Sequence, residues 1–118
     1  MKRWFLAAVL LWPLGAGAGL YTGNKLQTFC ADTKSGEPKR NLSWYSSCAS
    51  YLAGLVDAAE SIYLNTTATP RSCFPKGVSP EQLRQVWLNH ANQYPDKLHL
   101  PAAFSALEAF EQAWPCHR

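Results

Sequence analysis

The chain has 118 residues, of which 47% are hydrophobic and 16% charged, and its formal net charge is +3. That length suits one compact domain and is too short for two. Nucleic-acid binding needs clustered Lys and Arg, and the only such cluster outside the amino terminus is Lys39-Arg40, so nucleic acid is not expected as a partner.

The amino-terminal stretch has the layout of a secretory signal peptide. Two basic residues precede an apolar run of 11 residues, Trp4 to Leu14, and small residues follow as far as Ala18. A membrane-spanning helix needs about 20 residues, so the run is too short to be an anchor. We therefore predict a cleaved signal peptide over 1–18 and one helical domain over 19–118, whose formal charge falls to +1 once Lys2 and Arg3 are removed.

Four helices are predicted in the remaining sequence, separated by loops rich in Pro, Gly, Ser, Thr and Asn. In each segment apolar residues recur at steps of three and four, the pattern of a helix buried along one side. No strand-like alternation competes with this pattern, so the predicted class is all-α. The predicted helices run from about Thr22 to Cys30, from about Ser43 to Leu64, from Pro80 to about Tyr94, and from Pro101 until Pro115.

Local signals refine two of these helices. Gly54 lies inside the second helix, where it costs roughly 1 kcal/mol relative to Ala, and we expect close approach of a neighbouring helix there. The third helix has a strong start signal, because Ser79 is a natural N-cap, Pro80 suits the first helical position and Gln82 can complete a capping box.

The periodicity also assigns faces to the helices. The third helix is predicted to bury Leu83, Val86, Trp87, His90 and Tyr94, and to turn Leu88, Asn89, Asn92 and Gln93 away from the core. The fourth is predicted to bury Ala103, Phe104, Leu107, Phe110 and Trp114. The tryptophans Trp44, Trp87 and Trp114 are interpreted as core residues.

Four cysteines downstream of an export signal predict two disulfides, because thiols oxidise outside the cytoplasm. Three pairings are open from the count alone. An antiparallel arrangement of the third and fourth helices returns Cys116 to the level of Cys73, and the same argument brings Cys48 toward Cys30. We therefore expect the pairs Cys30–Cys48 and Cys73–Cys116.

The sequence lacks a recognisable catalytic or metal-binding constellation. The cysteines are widely spaced without a CxxC pair, and His90 is interpreted as a core histidine. The carboxylate pairs Asp57/Glu60 and Glu108/Glu111 are typical of solvated helix faces. The chain is therefore predicted to be no enzyme and to carry no metal or cofactor, which leaves binding as its function.

Three strings in the sequence resemble the Rap/Tai family, the periplasmic immunity proteins against type VI secretion amidases. They are GNKLQTFC, SSCASYLAGLVDAAES and the stretch from SCFPKGVSPEQL to AFEQAWPC, and together they extend from Gly23 to Cys116. The loop around Lys34 to Arg40 and the Thr-rich stretch Asn65 to Thr69 depart from the family pattern.

The resemblance implies a small periplasmic helical protein, often a homodimer, that binds a peptidoglycan amidase effector and occludes its active-site cleft. The candidate contact residues lie at the exposed end of the third helix and in the link after it: Asn89, Asn92, Gln93, Asp96 and Lys97. Two other hypotheses are a periplasmic acid-stress chaperone of the HdeA type and an unrecognised hydrolase using Asp57, Glu60 or His90.

Overall fold

The computed structural model describes residues 20–31 and 42–116, and within them it confirms an all-α domain with four α-helices. The helices are α1 (Gly23–Cys30), α2 (Leu42–Asn65), α3 (Pro80–Gln93) and α4 (Ala102–Ala113), with a short 3-10 turn at Pro95–Lys97 between the last two. The predicted signal peptide and the Lys39-Arg40 cluster lie outside the described residues.

Local capping explains where α1 and α3 begin. Thr22 caps α1 by accepting a hydrogen bond from the Lys25 N–H. At α3 the predicted capping box is present, since the Ser79 hydroxyl accepts from Gln82 N–H and the Gln82 side chain accepts from Ser79 N–H. These bonds satisfy backbone donors that a helix leaves unpaired in its first turn.

The hydrophobic core lies where all four helices meet. Helix α1 packs on the other three, and α3 contacts both α2 and α4. The buried core consists of Leu26, Cys30, Cys48, Leu52, Val56, Leu83, Trp87, Leu88, Ala91, Leu98, Ala102, Ala106 and Phe110.

Both disulfides join the expected partners. Cys30 at the end of α1 is bonded to Cys48 in α2, with Cα atoms 5.1 Å apart, and Cys73 is bonded to Cys116 beyond α4, with Cα atoms 4.9 Å apart. The first bridge is buried and the second lies nearer the surface. One therefore attaches α1 to α2, and the other attaches the loop before α3 to the segment after α4.

Three core assignments made from periodicity are wrong. Trp44 is 48% exposed, and its ring makes an edge contact with Phe29 at the start of α2, one turn before the buried Cys48. Leu88 is buried instead of facing solvent, because α1 packs on that side of α3. Phe104 is 59% exposed, because α4 buries its alanine-rich face instead.

The close approach expected at Gly54 occurs at Gly23 instead. A Cβ atom built at Gly54 would meet nothing within 4 Å, whereas one at Gly23 would lie 3.0 Å from both Cα and the carbonyl oxygen of Leu98. Gly23 N–H donates to the Leu100 carbonyl and Asn24 N–H donates to the Leu98 carbonyl. These bonds hold the start of α1 directly against the segment that precedes α4.

Alanine substitution should therefore have opposite effects at the two glycines. Gly54→Ala is expected to stabilise the protein by about 0.5–1 kcal/mol, because it improves helix propensity without a clash. Gly23→Ala is expected to destabilise it by about 1–3 kcal/mol, because the methyl group presses on backbone atoms. Urea unfolding of both variants measures the difference, and a destabilised Gly54→Ala would contradict the open environment seen at that position.

Candidate functional site

The predicted contact residues form a polar surface at the carboxyl end of α3, here called the α3 strip: Asn89, Asn92, Gln93, Asp96 and Lys97. All are exposed except Lys97, which is half-buried. Asn92 also faces a shallow cleft between α1 and α3, which it lines with Gln27 and Leu88. The structure therefore places the five residues on one stretch of backbone, with Lys97 at the end nearest α4.

Lys97 is held in place by its neighbours. Its ammonium donates to Glu108 Oε1 of α4 at 3.0 Å and lies over the ring of Tyr94, 4.9 Å from the centroid. The hydrogen bond to Glu108 is the largest cause that raises the pKa of Lys97 above its usual value. Lys97 therefore joins the α3 strip to α4 and remains protonated.

His90 lies behind this pair, buried between α3 and α4 as the sequence predicts. Its Nε2 lies 3.7 Å from Glu108 Oε2, beyond hydrogen-bond distance, and its ring contacts that of Tyr94 with 4.8 Å between centroids. Burial is the largest cause that lowers the pKa of His90 below 6.5; the Glu108 carboxylate opposes this shift and the Lys97 ammonium adds to it. His90 is therefore neutral at physiological pH.

This arrangement does not resemble a hydrolase site. In a Ser–His–Asp triad the carboxylate bonds to Nδ1 and Nε2 faces the nucleophile, whereas here the Glu108 carboxylate lies on the Nε2 side of His90. The hydroxyl of Ser105, three residues before Glu108 in α4, is buried and makes no hydrogen bond with the residues that the structure describes. Asp57 and Glu60 lie elsewhere, on α2 beside a cleft that contains Lys76. The three residues of the hydrolase hypothesis are therefore not brought together.

Acid should destabilise the fold through His90. The unfolded imidazole binds its proton near pH 6.5, whereas the native imidazole binds it only at lower pH, so in that window the unfolded state holds more protons. Stability is therefore expected to fall as the pH drops below about 6.5, and this loss ends below the native pKa.

Urea unfolding at about pH 7.5 and about pH 5.5 measures this loss. Because His90→Gln cannot be protonated, it should lose less stability than the wild type over the same interval, while all other titrating groups remain common to both proteins. An equal loss in both proteins would show that His90 does not carry the pH dependence.

A groove between α2 and α4 forms a second surface, here called the α2–α4 groove. It has a volume of about 540 Å³. Its apolar lining residues include Tyr63 of α2, Phe74 of the loop between α2 and α3, and Phe104 and Leu107 of α4, and its polar lining residues are Arg71, Ser72, Glu108, Glu111 and Gln112. The groove exists because α2 packs mainly on α1 and α3 and touches α4 little.

Charged residues border the groove in pairs. Arg71 and Glu111 form an ion pair with 3.0 Å between nitrogen and oxygen, and Glu108, which holds Lys97, forms part of the wall. Glu108 therefore connects the α2–α4 groove to the α3 strip. Sequence periodicity missed this groove because it assigned Phe104 to the core.

Neither surface brings together the side chains that a metal centre needs. Within 20–31 and 42–116, no three His, Cys, Asp or Glu side chains lie close enough to hold a metal ion. No helix in these ranges combines the length and apolarity needed to cross a bilayer. What the described residues offer is a compact helical body with a polar strip and an apolar groove on its surface.

These features define a small, disulfide-bridged helical protein. The family model of the Rap1a immunity proteins matches residues 22–116. The chain belongs to this family, as its three resembling strings indicated. In comparisons with curated proteins and with solved structures, no protein matches it significantly.

Proposed function

We propose that this protein is a periplasmic immunity protein that binds and occludes a cell-wall peptidoglycan amidase effector of type VI secretion. The observation that carries the proposal is the family match over residues 22–116. It agrees with a site that offers contact surfaces and no nucleophile–base pair. Membership in an immunity family also favours this function over an acid-stress chaperone.

The mechanism is steric. An inhibitor that covers a cleft must keep its shape on binding, since ordering a flexible surface reduces affinity. Two disulfides and a shared core hold the four helices together, and the α3 strip contributes polar contacts at the rim of the interface. The protein needs no cofactor for this task and is not itself an enzyme.

The proposed location is the periplasm. Residues 1–18 act as a cleaved signal peptide, and the remaining domain, 19–118, forms its disulfides in an oxidising compartment. The protein also forms a homodimer, as family resemblance implies. Light scattering on the purified mature protein measures the dimer, and mass spectrometry of the exported protein gives the cleavage site.

The proposal predicts that a peptidoglycan amidase is encoded beside the gene, and the absence of such a gene would count against it. The decisive experiment mixes the purified protein with that amidase. We expect peptidoglycan hydrolysis to stop at an equimolar ratio, and a boiled and reduced sample provides the control. Undiminished hydrolysis in the presence of excess folded protein would overturn the proposed function.

The contribution of the α3 strip is tested by Asn92→Ala combined with Lys97→Glu. We expect the double variant to inhibit less well. Because Lys97→Glu also places a like charge beside Glu108, the exchange Lys97→Glu with Glu108→Lys is the matched control: it restores the internal pair but reverses the charge facing the partner. Full inhibition by both variants would exclude the strip from the interface.

A further inference from the structure

We propose that the α2–α4 groove receives an uncharged apolar side chain, aromatic or long aliphatic, that projects from the amidase. This inference rests on the proposed function and adds the chemical character of the contact. Phe104, which is 59% exposed and lines the groove, would lose contact with water when the side chain binds.

The apolar lining fits such an occupant. Tyr63, Phe74, Phe104 and Leu107 come from three different parts of the chain and line one concave volume. Aromatic anchors that enter preformed pockets contribute most of the affinity in many protein interfaces. A volume of about 540 Å³ has room for a large side chain together with part of its backbone.

The charges around the groove argue against a charged occupant. Arg71 is paired with Glu111 at 3.0 Å, and Glu108 is paired with Lys97 at 3.0 Å. Because each of these charges already has a partner, an incoming ammonium or carboxylate would lose its own hydration and gain only a weak contact with exposed groups. An uncharged apolar side chain has no such hydration to lose. The paired charges therefore favour an apolar occupant over a charged one.

The floor of the groove is built before binding. The Phe74 ring packs on Phe110, with centroids 5.8 Å apart, and on Trp114 at 5.6 Å. Phe74 also follows Cys73, whose N–H donates to the Trp114 carbonyl and whose sulfur is bonded to Cys116. Because the floor is already ordered, little conformational entropy is lost there on binding.

The groove also adjoins the proposed polar contacts. Glu108 lines the groove and accepts a hydrogen bond from Lys97 of the α3 strip. An apolar centre bordered by polar residues is the usual composition of a protein interface. One partner surface can therefore cover both features at once.

Phe104→Ala tests the proposal, and Ile62→Ala is its matched control. Ile62 is 57% exposed but does not line the groove. Using calorimetry with the neighbouring amidase, we expect Phe104→Ala to weaken binding by on the order of tenfold and Ile62→Ala by less than about twofold. Both melting temperatures should stay close to wild type, because the two side chains lie largely outside the core.

Salt dependence provides the second readout. For an uncharged anchor, the loss caused by Phe104→Ala should be the same at low and high ionic strength, because screening acts on charges. Equal affinities of the Phe104→Ala and Ile62→Ala proteins would overturn the groove proposal while leaving amidase inhibition intact. A loss that vanishes at high salt would likewise overturn it in favour of a charged occupant.

Two further outcomes separate a failure of the groove proposal from a failure of the proposed function. If Phe104→Ala dissociates a homodimer in ultracentrifugation but still inhibits fully, the groove is occupied by a second copy and the proposal is wrong. If the wild-type protein itself neither binds nor inhibits the amidase, the proposed function fails and the groove assignment fails with it.

Discussion

Reduction of both disulfides is expected to unfold the domain or lower its melting temperature by tens of degrees. In the chain-entropy model, links across 18 and 43 residues stabilise the native state by roughly 3 and 4 kcal/mol. A domain of this size has a total stability of only about 5–15 kcal/mol. Thermal unfolding with and without reductant measures the effect.

The two bridges should also differ in how readily they are reduced. Cys30 and Cys48 are 1% and 0% exposed, whereas Cys73 is exposed and Cys116 half-buried. Brief treatment with reductant followed by alkylation should therefore label Cys73 and Cys116 first, as mass spectrometry can show. A melting curve unmoved by complete reduction would contradict the structural role assigned to both bridges.

Arg84→Ala is expected to destabilise the protein by about 2–4 kcal/mol. The Arg84 side chain is 2% exposed; it donates to the carbonyl of Cys30 at 2.8 Å and to both carboxylate oxygens of Glu81. Removal leaves that carbonyl without this donor and opens a cavity in the core. Because Glu81 is 44% exposed, water can solvate its carboxylate, which keeps the loss below that of a fully buried pair.

The Arg71→Ala variant is the control for Arg84→Ala. Arg71 forms the other Arg–Glu pair, with Glu111, but its side chain is 73% exposed. Truncation there is expected to cost at most about 1 kcal/mol. Urea unfolding of both variants compares a buried and an exposed pair in one protein, and similar losses would show that the burial of Arg84 adds nothing.

The Arg84–Glu81 pair makes an acid-sensitive contribution to the free energy of unfolding. Hydrogen bonds from Arg84, then from Tyr45 and Gln85, lower the pKa of Glu81 to about 2, against opposition from partial burial. The native carboxylate therefore holds its charge below the pH at which the unfolded one is protonated, and the stabilisation is lost as the pH falls from about 4.5 toward 2. Arg84→Ala should flatten the acid limb of the stability curve over that range.

Features that depend on neighbouring residues were predictable from the sequence. The capping box at Ser79 and Gln82 needs only a few adjacent residues, and it appears as expected. The four helices of the described residues and both disulfide pairings also agree with prediction. For Cys73–Cys116 the reason is that α3 and α4, joined by a short link, return the chain to the same level.

Features that depend on which helices touch were not predictable. Small alanine side chains contribute little to a hydrophobic pattern, so the periodicity of α4 follows its larger residues and predicts that Phe104 is buried. In the structure the helix buries its alanine-rich face, and Phe104 is exposed. The sequence alone does not tell which of Gly54 and Gly23 lies against a neighbouring segment. In the structure Gly23 lies against the backbone of Leu98, whereas nothing lies within 4 Å of a Cβ atom built at Gly54. Arg84 and the α2–α4 groove likewise depend on contacts between distant segments, which a periodic pattern does not encode.

The attachment of α1 to the segment before α4 affects the order in which the polypeptide matures. The carbonyl of Tyr21 and the amides of Gly23 and Asn24 pair with residues 98–102. A nascent chain that stops before Leu98 lacks those partners, and a helix of eight residues is too short to persist alone. The start of α1 can therefore reach its native arrangement only after residues 98–102 have been synthesised.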